Sequence, residues 1–168
     1  MKTFVLTVSE QFPKSHPKAG VETYFGNAIL GGGKIHTIRA NYELWAKRFE
    51  DVYINEAKIS IRFWTGKPYA SKQGFIKDLE CNDMIGCQKL VFIDGNIKKP
   101  RIVLPPNLFQ PKTILLPVSI GELAANDGLS TTDWLDWFKS YDLTKPLAVI
   151  QFTGFRYGHY TAKCRHHE

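Results

Sequence analysis

The chain has only three cysteines, Cys81, Cys87 and Cys164, in 168 residues. An odd, sparse set of this kind implies no disulfide framework. Long apolar runs are missing too: none reaches the ~18 residues that a membrane helix needs. Residues 1–8 carry one charge, Lys2, and too short an apolar stretch to read as a secretory signal. Charge of one sign is also scarce, since 22 Lys and Arg against 16 Asp and Glu leave +6, spread along the whole chain. Such a balance permits a polyanionic partner without requiring one. There is no Ser-centred nucleophile elbow, no His-Glu-x-x-His and no internal repeat. These absences point away from membranes and secretion, and toward a cytoplasmic protein of one domain spanning residues 1–168.

The composition is enough for a packed core: 43% of residues are hydrophobic and 13% aromatic. Residues 3–8 alternate as a strand does, and 11–20, with two prolines, a glycine and His16, read as a loop. Phe25 and Ile29 at i and i+4, with Gly31 beyond, predict a helix over 21–30. A glycine turn leads into a strand over 34–39. Tyr42, Trp45, Phe49 and Val52 share one helical stripe. Further strands are expected at 58–64, 89–93, 101–104, 113–118 and 147–153, with a helical turn at 119–125. Residues 70–85, polar and without a clear period, are the least readable part of the chain. Ser130 with Asp133 starts a helix whose Trp134, Trp137 and Phe138 are expected to be largely buried. Strands and helices do not alternate regularly, which argues for an α+β, mostly β fold and against a doubly wound sheet. The tail 163–168 is basic and expected to fray.

Little of the chemistry is self-evident. Gly31-Gly32-Gly33-Lys34 lacks the spacing and the Ser/Thr of a phosphate loop, and a strand, not a helix, follows it. Cys164, His166 and His167 fit no standard zinc spacing, so neither a metal nor a cofactor is expected. His36, within a strand, reads as a packed or edge residue.

The informative segment is 25–39, Phe-Gly-Asn-Ala-Ile-Leu-Gly-Gly-Gly-Lys-Ile-His-Thr-Ile-Arg. Helix, glycine turn, lysine and a Thr-Ile-Arg strand resemble the signature of the ASCH domain, a member of the PUA-like superfamily. The resemblance is close to small bacterial acetylcytidine amidohydrolases. Downstream, residues 122–130, with Asp127-Gly128 before a helix, resemble the family's acidic turn, and 148–152 its last strand. The resemblance implies a PUA-like mixed β-barrel with flanking helices, and it leaves residues 1–20 as an N-terminal elaboration. It also places Lys34, Thr37 and Asp127 at the catalytic positions, with Asp127 where the amidohydrolases carry the longer Glu.

The trio makes chemical sense, since a lysine of lowered pKa takes a proton, a threonine attacks and a carboxylate orients or relays. In a regular strand, however, Lys34 and Thr37 would face opposite ways, so the reading needs Lys34 in the glycine turn. Arg39 shares the face of Thr37 and suits a phosphate or a base edge. Arg62, Trp64, Lys67 and Tyr69 interleave cations and aromatics, which suits a stacked base and its phosphate in the same cleft. The leading expectation is a module that binds RNA or a modified nucleoside. The alternative is an amidohydrolase removing an acyl group from a cytidine-like base. A protein-interaction module has no positive support in the sequence.

Overall fold

The computed structural model describes residues 1–159; the tail 163–168, with Cys164, His166 and His167, lies outside them. Among the described residues eight strands form two sheets, and four α-helices pack on them. In chain order the elements are β1 (Lys2–Val8), α1 (Phe25–Leu30), β2 (His36–Arg39), α2 (Tyr42–Tyr53), β3 (Ala57–Trp64) and β4 (Gln73–Leu79). They continue with β5 (Gly86–Phe92), β6 (Pro100–Leu104), β7 (Ile114–Pro117), α3 (Ile120–Asn126), α4 (Thr131–Phe138) and β8 (Leu147–Gln151). The architecture is α+β and mostly β. No helix among the described residues is long and apolar enough to cross a membrane.

The smaller sheet has the order β1-β3-β4, with β1 parallel to β3 and β4 antiparallel to it. β1 pairs along its full length, Lys2 opposite Ala57 through Val8 opposite Phe63. The larger sheet, β2-β8-β5-β6-β7, is antiparallel throughout. Its strand β8 is buried at every position because both of its faces are covered. Ala148 and Ile150 join the core that contains β3 and the α2 stripe of Trp45, Phe49 and Val52. Leu147 and Val149 join a second core with Leu123 of α3 and Trp134 and Phe138 of α4. The period-2 alternation of one short strand thus serves two cores.

The structure adds to the sequence reading, and in one place departs from it. Residues 70–85 contain β4 and a 3-10 turn, Cys81–Asp83. The alternation of β4 was hidden because Phe75 on this edge strand is 63% exposed and a register shift interrupts the pairing opposite Ile61 and Arg62. Cys87 is a free thiol whose burial pushes its pKa up to about 12. Finally, Trp134 and Phe138 are buried as expected, but Trp137 is only half-buried.

This last difference predicts unequal costs. Trp134→Ala should lower unfolding stability by roughly 3–5 kcal/mol, the range for emptying a buried aromatic site. Trp137→Ala should cost clearly less. Urea denaturation midpoints check both values.

Candidate functional site

Lys34 reaches its place through the turn that ends α1. The N–H groups of Gly33 and Lys34 both donate to the Ala28 carbonyl, at 2.8 and 3.0 Å, and Gly32 takes φ +76°. Lys34 therefore precedes β2 and is free of its alternation. The segment is pinned on both sides: Ile35 N–H donates to Asn126 O at 2.9 Å, and Phe152 N–H donates to Ile35 O at 2.8 Å.

The opposing half of the site is the end of α3. Gly128 N–H donates to Ala125 O at 3.0 Å and Leu129 N–H to Ala124 O at 2.9 Å. This is a Schellman closure with Gly128, at φ +74°, in the left-handed position. The same glycine makes room for the lysine, since a Cβ there would stand 3.2 Å from Lys34 Cβ. Asp127 is the C-cap, and Lys34 Nζ donates to both its main-chain oxygen and its Oδ1. The ammonium also lies 4.0 Å from the centre of the Phe25 ring.

Both side chains are out of solvent, Lys34 at 1% exposure and Asp127 at 5%. Burial pulls the Lys34 pKa below its ordinary value, and the Asp127 charge partly restores it. Burial likewise raises the Asp127 carboxyl, against the pull of Lys34. In each group burial opposes the charged form and the partner's opposite charge supports it.

Thr37 and Arg39 stand on one face of β2. Arg39 Nη1 donates to Thr37 Oγ1 and to Ile38 O, both at 2.9 Å, and Nη2 donates to Thr7 O at 2.5 Å. Thr37, Arg39 and Asp127, with Ser9, Phe25 and Trp137, line a small cavity of about 20 Å³. Ser9, Arg39 and Trp137 also line a wider cleft of about 300 Å³, whose wall includes Ser15 and Tyr141. The cavity lies where this cleft meets the buried pair. Lys34 touches two of its lining residues, Phe25 and Asp127.

The N-terminal segment expected as an elaboration supplies part of the wall, through Ser9, Pro13 and Ser15. It is tied to the first turn of α4: His16 Nε2 lies 3.1 Å from Asp133 O, and Lys18 Nζ donates to Asp133 Oδ2 at 2.8 Å. Trp137, expected in the core, has Phe12 and Phe25 rings each 5.7 Å away, and it also lines the cleft. Its place at the edge of the α4 aromatic stripe was the only sequence signal for it. Ser9 and Tyr141 carried none.

The structure does not bring Arg62, Trp64, Lys67 and Tyr69 to this cleft. Ile59 and Ile61 are in the core and Phe63 packs against it, so Arg62 and Trp64 alternate to the other sheet face. There Arg62 Nε donates to Ser60 Oγ at 3.1 Å, and the Trp64 and Tyr69 rings lie 5.3 Å apart. Lys67 and Tyr69 are exposed on the turn beyond β3. His36 is fully buried, with Nε2 2.9 Å from Tyr157 Oη and Nδ1 without a partner. Among the described residues no group of three or more His, Cys, Asp or Glu could hold a metal ion.

The chain matches no protein-family model, no curated protein and no solved structure in comparisons with them.

Removing one partner of a buried pair leaves the other charge unpaired in a dry site. Lys34→Met should therefore lower unfolding stability by about 3–5 kcal/mol. Lys34→Met combined with Asp127→Asn should recover a clear part of that loss. A double-mutant cycle of unfolding free energies checks the sign of the coupling.

Proposed function

We propose that the cleft above Thr37 binds a modified nucleoside, free or within RNA, in a chain of the ASCH, PUA-like kind. The observation that carries this reading is the convergence of Thr37, Arg39 and Asp127 on one cavity beneath an open, aromatic-walled cleft. Trp137 and Tyr141 offer rings on which a base stacks. Arg39 offers a planar fork for a carbonyl or phosphate oxygen, and the serines offer hydroxyls for a sugar.

A second reading rests on a specific feature, the buried Lys34–Asp127 pair beside Thr37. In it the chain is an amidohydrolase that removes an acyl group from a cytidine-like base. Lys34, in its neutral form, takes the proton of the Thr37 hydroxyl or of a water. The oxygen attacks the acyl carbonyl, and the carbon–nitrogen bond breaks. The proton then passes to the leaving amine, with Asp127 as relay, and water completes the turnover if Thr37 has been acylated. A hydrophobic, dry surrounding favours the neutral lysine that this needs.

Both readings are tested with acetylcytidine. Calorimetric titration should show binding that Trp137→Ala weakens by about 1–3 kcal/mol, the worth of one base stack. Unchanged affinity would remove the cleft as the site. Ultraviolet absorbance follows hydrolysis. If the chain turns over acetylcytidine, Thr37→Val should abolish the reaction where Thr37 is the nucleophile and leave part of it where water attacks directly. The rate should then rise with pH, because only neutral Lys34 is a base, with a midpoint below the ordinary lysine value of 10.5. Binding without turnover leaves the first reading alone.

A further inference from the structure

A second cleft, of about 380 Å³, lies on the other side of Ser9 and Phe25 and is larger than the one above Thr37. Its size is within the range of small-molecule sites. It runs between the segment leading into α1 and the β3–β4 hairpin, and its lining is of one kind of charge. Glu10 and Glu22 line it, and no Lys, Arg or His does, in a chain whose net charge is +6. Among the described residues neither carboxylate is in an ion pair.

The two carboxylates come from facing strands of a small hairpin. Gln11 and Glu22 form an antiparallel bridge, and Thr23 N–H donates to Glu10 O at 2.8 Å. Aromatic residues make up part of the remaining lining, with Val8, Leu30 and Ile76 beside them. The tip of the Phe63 ring lies over Gly74, where a Cβ would come within 2.1 Å of it. That glycine keeps the Phe63 ring down on the sheet, where any side chain at 74 would displace it. Tyr24 also lines the cleft and is 63% exposed, whereas Phe75, paired with Arg62, borders it from the edge strand with its side chain on the other face of the sheet. Tyr24 does so from a left-handed backbone, φ 56°, which an aromatic residue adopts at a cost.

Exposed rings beside unpaired carboxylates match one ligand chemistry. A cation is attracted by ring faces and by carboxylates together, while an apolar body buries the rings. We propose that this cleft binds an organic cation, an ammonium or guanidinium group carried on an apolar body. The cation sits against the Glu10 and Glu22 edge of the cleft, and the body lies on Phe63 and Tyr24. A phosphate would meet only like charge here, so the site is separate from any path of a nucleic-acid backbone and does not depend on the nucleoside reading. The cation has two sources, a free aryl-alkyl amine or the side chain of a peptide.

Calorimetric titration with phenethylammonium, and with the peptide acetyl-Phe-Lys-Phe-amide, tests the proposal on the full chain. Each is compared with a neutral counterpart, 2-phenylethanol and the norleucine peptide. The cationic member of at least one pair should bind about tenfold or more tightly than its neutral partner, the range of a desolvated cation–π contact with carboxylate help. Whichever cation binds more tightly names the source. Glu10→Gln with Glu22→Gln should remove most of that advantage, and Tyr24→Ala should weaken binding about fivefold. These side chains are exposed, so thermal melts should be unchanged and the loss attributable to the site. Equal affinity for cation and neutral partner, unchanged affinity in the double variant, or no binding at millimolar concentration would each overturn the assignment.

Discussion

The contact between Lys34 and Asp127 joins two parts of the chain that nothing local holds together. One is the glycine turn after α1, and the other is the Schellman end of α3. Burying two charges is expensive, and the interior tolerates it only when each is well partnered. Here the ammonium has a carboxylate, a main-chain carbonyl at a helix C-terminus and an aromatic face. Gly128 lets the lysine stem pass, and Ile35 locks the same two segments through the backbone. The position of Thr37 relative to Asp127, and with it the small cavity, follows from this clamp.

Around the clamp, the two sheets divide the labour. The five-stranded sheet carries Thr37 and Arg39 on its edge strand β2, held in register by β8. The three-stranded sheet carries the N-terminal strand that leads into Ser9, where both clefts meet. Ser9 and Phe25 therefore form a partition. On one side lie Arg39 and the rings of Trp137 and Tyr141; on the other lie Glu10, Glu22, Tyr24 and Phe63. The opposite charge of the two clefts is what separates their ligand chemistries.

Most strands and helices were legible because their signals are local. The α2 stripe at 42, 45, 49 and 52, the Ser130 cap and the alternation of β1 and β3 each need only neighbours in sequence. The exception, β4, is an edge strand whose exposed Phe75 and irregular pairing erase the alternation. The inner group of the site was legible as well, through the glycine–lysine turn and the Asp-Gly pair. The outer patch was misplaced for a simple reason: alternation tells which residues share a face, but not which face meets the cleft. Arg62 and Trp64 do share a face, and it is the one turned from the core.

By itself the sequence determined the periodicities, the glycine positions that accept left-handed backbone, and a lysine released from strand geometry by the turn before it. These are properties of short stretches, set by sterics and by hydrogen bonds between near neighbours. Only the tertiary structure decided which partners those residues meet. It brought Asp127 to Lys34 across 93 residues, wrapped the N-terminal segment against α4 through His16 and Lys18, and left Trp137 half-open beside Arg39. The reason is physical: burial and partnership belong to packed surfaces from distant segments, and no local pattern records which surfaces will pack.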